Sequence, residues 1–330
     1  MARIWSAVTR HRFRPLADWS AKQSRVQRLA RASSFDGDKS PAKSGDKSPR
    51  SKSLRLRRQP RQVYLCSSVV LFLICFSVHA LEISWTNNLL TVTGANVPGG
   101  KLDVWYLEAF CRSGAHQREW GKTTLPHKTT LLANENNRVL RFRTLVETNV
   151  EVTHVVTAGA DEIDFRFTFV NHGAGDIDLQ WFQPACIRVE KFTGCGQSNY
   201  IARSFIFTDR GLTMLAAARR TEDALYRGGQ AYVMPGVSTN DANPRPLSLD
   251  RPANGLIGCF SADGKKLLAT ASDATHELFE GVYVCLHSDP RVGGLKAGER
   301  KEIRAKLYVM TNDIPALLRR CEKDFPTAGK

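Results

Sequence analysis

Two hydrophobic patterns divide the 330-residue chain. Residues 63–80, VYLCSSVVLFLICFSVHA, form an apolar run without a charged side chain. Beyond it the apolar positions recur with period two, the signature of strands with one buried and one wet face. Ile163, Phe165, Phe167 and Phe169 alternate with Glu162, Asp164, Arg166 and Thr168. Near the end, Ile303, Ala305, Leu307 and Val309 alternate with Glu302, Arg304, Lys306 and Tyr308. Similar runs, bounded by Gly, Pro and Asn, predict strands over 81–86, 89–93, 103–110, 138–146, 150–157, 177–189, 204–208, 256–261, 267–271 and 281–286.

Helical periodicity is convincing only over 313–325, where Ile314, Leu317, Leu318, Cys321 and Phe325 make one stripe. Asn312 is a candidate cap, and Pro315 falls in the tolerant first turn. Many strands without intervening helices exclude a parallel α/β sheet. The expected fold is all-β, a large sandwich over residues 81–330 closed by the helix 313–325.

Charge changes the picture of the first segment. The chain has 47 Lys and Arg against 32 acids. Of these, 17 bases and 4 acids precede Val63, so residues 1–62 carry +13 and the rest, with 30 bases and 28 acids, +2. The basic pI therefore belongs to the leader, and a nearly neutral sandwich is not expected to bind nucleic acid. Positive charge flanking an apolar run sets membrane orientation. The core of the run, 69–78, has the length of a signal-peptide h-region, and Val78-His79-Ala80 provides a cleavage site before Leu81. An uncleaved anchor that touches the membrane through residues 63–80 is the other reading. Both place residues 81–330 in the periplasm or outside the cell. Within the leader, GDKSP occurs at Gly37 and Gly45 in a Ser/Lys/Pro-rich tract expected to be disordered.

Six cysteines follow the apolar run, Cys111, Cys186, Cys195, Cys259, Cys285 and Cys321. In an oxidising compartment they can form up to three bridges, and Cys186 and Cys195 have a spacing that suits a closed loop. No Cys-x-x-Cys, His-x-His or His-Glu-x-x-His pattern occurs, so neither a metal nor another cofactor is expected. His154 shares an apolar face with Val150, Val152 and Val156 and is expected to be a hydrogen-bonded core histidine.

Three polar clusters are candidates for a site. YLEAFCRSGAHQREW sets Glu108 on a strand and Arg112, His116 and Trp120 in the loop that follows. LQWFQPACIRVEKF offers Trp181, Gln183 and Arg188, the types a sugar site uses: an aromatic face for pyranose C–H groups, an amide and a guanidinium for hydroxyls. THELFEGVYVCLHSDPRVGG gathers His276, Glu277, Glu280, His287, Asp289 and Arg291. With 281–286 as a strand, His276 and Glu277 stand at one rim and His287 and Asp289 at the other, about 20 Å away. General acid/base chemistry, if the domain is catalytic, falls to His287 and Glu108.

The succession DEIDFRFTFVNHGAGDIDLQWFQP, followed by LKAGERKEIRAKLYV, resembles the β-supersandwich of galactose-mutarotase-like proteins. It is more similar to exported bacterial proteins of that kind without an assigned activity, and it spans Leu81 to about Val309. The resemblance implies a concave sheet face that binds carbohydrate. Mutarotases open the sugar ring with a histidine acid and a glutamate base. Asn171-His172 is similar to their Asn-His, but Gly173 and Ala174 stand where an aromatic run is expected, and no glutamate matches the base. The reading favoured is an exported carbohydrate-binding or carbohydrate-processing domain. The alternative is a non-catalytic envelope or assembly protein built on a sandwich scaffold.

Overall fold

The computed structural model describes residues 80–326 apart from Ser198. The expected leader, 1–62, and the apolar run up to residue 79 lie outside the described residues. Asparagine turns make two of the hairpins. Asn87 and Asn88 (φ 51° and 63°) join β1 (Glu82–Thr86) to β2 (Leu89–Thr93). Asn136 and Asn137 (φ 52° and 56°) join β4 (His127–Glu135) to β5 (Val139–Val146). Asn tolerates the left-handed region that a tight hairpin needs.

Two antiparallel sheets result. The seven-stranded sheet runs β1-β2-β3-β8-β15-β14-β11, with β3 Lys101–Cys111, β8 Trp181–Arg188, β11 Gln230–Val233, β14 Thr275–Gly281 and β15 Cys285–Pro290. The nine-stranded sheet runs β10-β9-β12-β13-β16-β7-β6-β5-β4, with β6 Val150–Ala158, β7 Glu162–Asn171, β9 Ser204–Thr208, β10 Gly211–Met214, β12 Ile257–Phe260, β13 Lys266–Ser272 and β16 Arg300–Thr311. The fold is the all-β sandwich that the alternation predicts. β7 and β16 pair along their length, Phe167 opposite Ile303 and Phe165 opposite Ala305, so both buried faces point the same way.

Aromatic side chains lock the sheets together. Phe182 of the smaller sheet meets Phe167 and Phe169 of the larger at centroid distances of 5.0 and 5.2 Å, and Tyr106 meets Phe142 at 5.3 Å. Truncating one such ring to Ala costs about 3–5 kcal/mol. His154 lies in this core, bonded to the Tyr106 hydroxyl (2.6 Å) and to Thr144 Oγ1 (3.0 Å), the hydrogen-bonded core histidine expected of its apolar face. Burial drives its imidazole down to a pKa of about 3.

Helix α1 (Ile314–Asp324) packs its apolar stripe on Phe205, Leu267, Ala269 and Tyr308 of the nine-stranded sheet. Its cap is Asp313, which accepts from the Ala316 N–H, and not Asn312, whose side chain donates to Gly264 O. No helix among the described residues is long and apolar enough to cross a membrane.

Candidate functional site

One sequence expectation fails in a way that creates the site. Residues 281–286 are not one strand. Residues 282–284 turn, with Val284 at φ 57°, and β14 folds back onto β15. The two rims of the third cluster therefore lie side by side: Glu277 pairs with Asp289, and Phe279 with His287. The expected separation of about 20 Å does not exist.

Neighbouring strands add to this patch on the sheet face turned away from the sandwich core. In β3 the register shifts between Tyr106 and Ala109, opposite Pro184 of β8. Proline has no N–H to give the ladder there. Glu108 sits at this irregularity within β3, beside Cys186, and its Oε2 lies 3.9 Å from His287 Nε2. Cys285 Sγ is 3.4 Å from the same Nε2 and is hydrogen-bonded to Cys186. On the other side of the ring, Nδ1 lies 3.5 Å from Asp289 Oδ1 and 3.4 Å from Gln183 Nε2, which donates to Asp289 Oδ2 at 3.0 Å. Among the described residues, the only basic partners of Glu108, Glu277 and Asp289 are His276 and His287.

Electrostatics follow from this crowding. The hydrogen bond from Cys186, opposed by burial and reinforced by His287, holds the Cys285 thiol well below its usual range. Burial alone would lower His287, but the charges of Cys285 and Asp289 outweigh it and raise the imidazole well above its usual value. Burial raises Glu108 and Asp289. Burial, reinforced by the charges of Asp289, Glu277 and Glu108, also raises the Cys111 thiol well above its usual range.

A cover lies over one end of the patch. Gly114 N–H donates to Asp241 (2.6 Å), His116 Nδ1 bonds to Asn243 O (3.1 Å), and Asn243 N–H donates to Glu277 Oε2 (2.9 Å). Trp120 packs with Ala109, Cys111, Ala115 and Trp181, and Trp181 stacks on His276 at 5.3 Å. The other end opens outward. There Arg188 lies over Trp105 and Tyr283, 5.5 and 5.3 Å from the two centroids, and the rings are 44% and 60% exposed. Glu108, in the cluster, keeps a fifth of its side chain exposed. Arg245, half-buried, has its pKa lowered by burial and by Arg227.

The structure thus brings together Glu108, His287 and Gln183, with Trp181, His116 and Trp120 under or in the cover and Arg188 at the mouth. Arg112 is not with them, because it pairs with Glu147. His172 is exposed beyond the end of β7 in the other sheet. Asn171, its neighbour, spends its side chain on Gly175, Leu295 and Lys296 carbonyls. Cys186 and Cys195 form no bridge: Cys186 joins the outward cluster while Cys195 packs against the sandwich core. Sequence reasoning missed Cys186, Cys285, Trp105 and Tyr283, since strand pairing alone makes them neighbours.

No protein-family profile matches the chain, and no curated protein does. Solved structures similar to it include galactose mutarotase-like proteins. A galactose mutarotase-like protein from Lactobacillus casei is 9% identical over 69% of this chain and 99% of that one, with a TM-score of 0.37. A galactose mutarotase related enzyme from Lactobacillus acidophilus is 10% identical over 71% and 98%, with a TM-score of 0.39. A galactose 1-epimerase from Lactobacillus acidophilus NCFM is 10% identical over 71% and 98%, with a TM-score of 0.34. At such values the functional reading rests on the chain's own residues.

Proposed function

We propose that this chain is an exported carbohydrate-binding or carbohydrate-processing protein whose ligand lies across Trp105 and Tyr283. The observation that carries the reading is the mouth itself: two exposed aromatic rings held by one guanidinium, with Arg245 near Tyr283. Aromatic faces accept the C–H face of a pyranose, while a guanidinium bonds its hydroxyls. Arg188 stays in place because it also donates to Tyr283 O at 2.9 Å. Export is supported by the +13 leader before an uncharged apolar run and by a first strand that begins at Glu82, next to the expected cleavage point.

A glycan array probed with the purified chain tests the binding reading. Retention of one glycan class, abolished by Trp105→Ala, supports it. Silence across the array from protein with native circular dichroism overturns it. Fractionation tests export, and protein confined to the cytosol overturns that part.

A further inference from the structure

Beneath the mouth, Cys186 Sγ, Cys285 Sγ and a His287 ring nitrogen all lie within 4.8 Å of one another, and all three residues are buried. We propose that these three side chains, with Glu108 as fourth donor, bind a zinc-class divalent cation. This goes beyond the carbohydrate reading and does not rest on it.

Four observations carry the assignment. The spacing is that of a coordination shell: tetrahedral geometry with zinc–sulfur and zinc–nitrogen bonds of about 2.3 and 2.0–2.1 Å puts sulfur and nitrogen roughly 3.6 Å apart. Cys285 Sγ and His287 Nε2 are 3.4 Å apart. The donors are two thiols, an imidazole and a carboxylate, a set that suits zinc over hard cations. Glu108 Oε2, beside them, is a buried oxygen without a hydrogen-bond partner. Three carboxylates, Glu108, Glu277 and Asp289, crowd the patch with only histidines as basic partners among the described residues. A cation compensates that charge.

The outer shell has the matching form. Asp289 faces His287 Nδ1 and is itself held by Gln183, which leaves Nε2 turned toward the thiols. Pairing disfavours a disulfide as the rival use of the cysteines. Cys285 pairs with Arg188 and Leu286 with Ile187, so Cys186 is a diagonal neighbour of Cys285. Diagonal partners in a sheet stand roughly 7–8 Å apart. A disulfide wants about 4.4–6.8 Å between Cα atoms. In this assignment His287 and Glu108 are ligands and do not transfer protons.

The test is metal analysis of the full chain, purified under reducing conditions without a histidine tag, stripped with chelator and reloaded with zinc. One zinc per chain is expected in the wild type and in Cys321→Ser, a cysteine of helix α1 packed on the nine-stranded sheet. Cys186→Ser, Cys285→Ser and His287→Gln are each expected to lose at least tenfold in zinc affinity. Cobalt loaded in place of zinc is expected to give thiolate charge-transfer absorption and the visible bands of a tetrahedral site. That readout decides the matter from wild-type protein even where a variant fails to fold. Only trace zinc in reloaded, natively folded chain overturns the proposal, as does unchanged zinc in Cys186→Ser and Cys285→Ser. A Cys186–Cys285 disulfide in protein isolated without reductant overturns it too. Wild-type chain that binds zinc but no glycan refutes the carbohydrate reading alone, and wild-type chain that binds a glycan but no zinc refutes this one alone.

Discussion

Glu277 and Asp289 stand directly opposite each other across the β14–β15 pair, and neither carboxylate has measurable exposure. Two acids so placed are a liability to folding unless something compensates them. Burial raises Asp289, and the Glu277 charge pushes it further in the same direction.

Glu277→Gln keeps an oxygen for the Asn243 N–H and removes one of the two charges. In chelator-treated protein this substitution is expected to stabilise the fold by about 1 kcal/mol, since it relieves a buried like-charge pair. Urea unfolding at neutral pH measures it; a lower midpoint than wild type would contradict the placement of the two acids.

His154 predicts the acid limb of stability. Its folded pKa of about 3 lies below the ordinary 6.5, so between these values the unfolded chain binds the extra proton. The stabilisation of the neutral imidazole is therefore fully present above pH 6.5 and lost as pH falls toward 3. The slope is about 1.4 kcal/mol per pH unit for one proton. His154→Gln is expected to remove this slope from a series of urea midpoints, and an unchanged slope would assign it to other groups.

Gly281 has no room for a methyl group, because a Cβ there would meet Cys285 Sγ at 2.3 Å. Gly281→Ala must push the thiol out of the cluster. A loss of about 1–3 kcal/mol, the range for overpacking, is expected in chemical unfolding. Wild-type stability in this variant would mean that the hairpin seats Cys285 elsewhere.

At the mouth, Tyr283→Ala removes one of the two rings that flank Arg188. Affinity for the glycan class found on the array is expected to fall about tenfold, equivalent to about 1.4 kcal/mol, with the fold unchanged. Leu132→Ala, on exposed β4 of the other sheet, serves as the control and is expected to bind as wild type does. Isothermal titration distinguishes the two.

The amino-acid sequence by itself determined the sandwich and its closing helix, because period two and period 3.6 are local properties of neighbouring side chains. The phenylalanines of β7 could be placed on a buried face from their spacing alone, and so could His154 of β6. The same rule misread GVYVCL as a strand. Val284 is β-branched and sits at φ 57°, a conformation its propensity opposes. The long antiparallel pairing of β14 with β15 overrides that local cost, and no window of a few residues contains the information. By making Glu277 and Asp289 neighbours, the turn decides that a cluster exists. The meeting of Cys186 with Cys285, and of Glu108 with His287, depends on strand order, which brings β3, β8 and β15 together from distant parts of the chain. Strand order is set by how whole faces bury against each other, so only the tertiary structure could reveal the site.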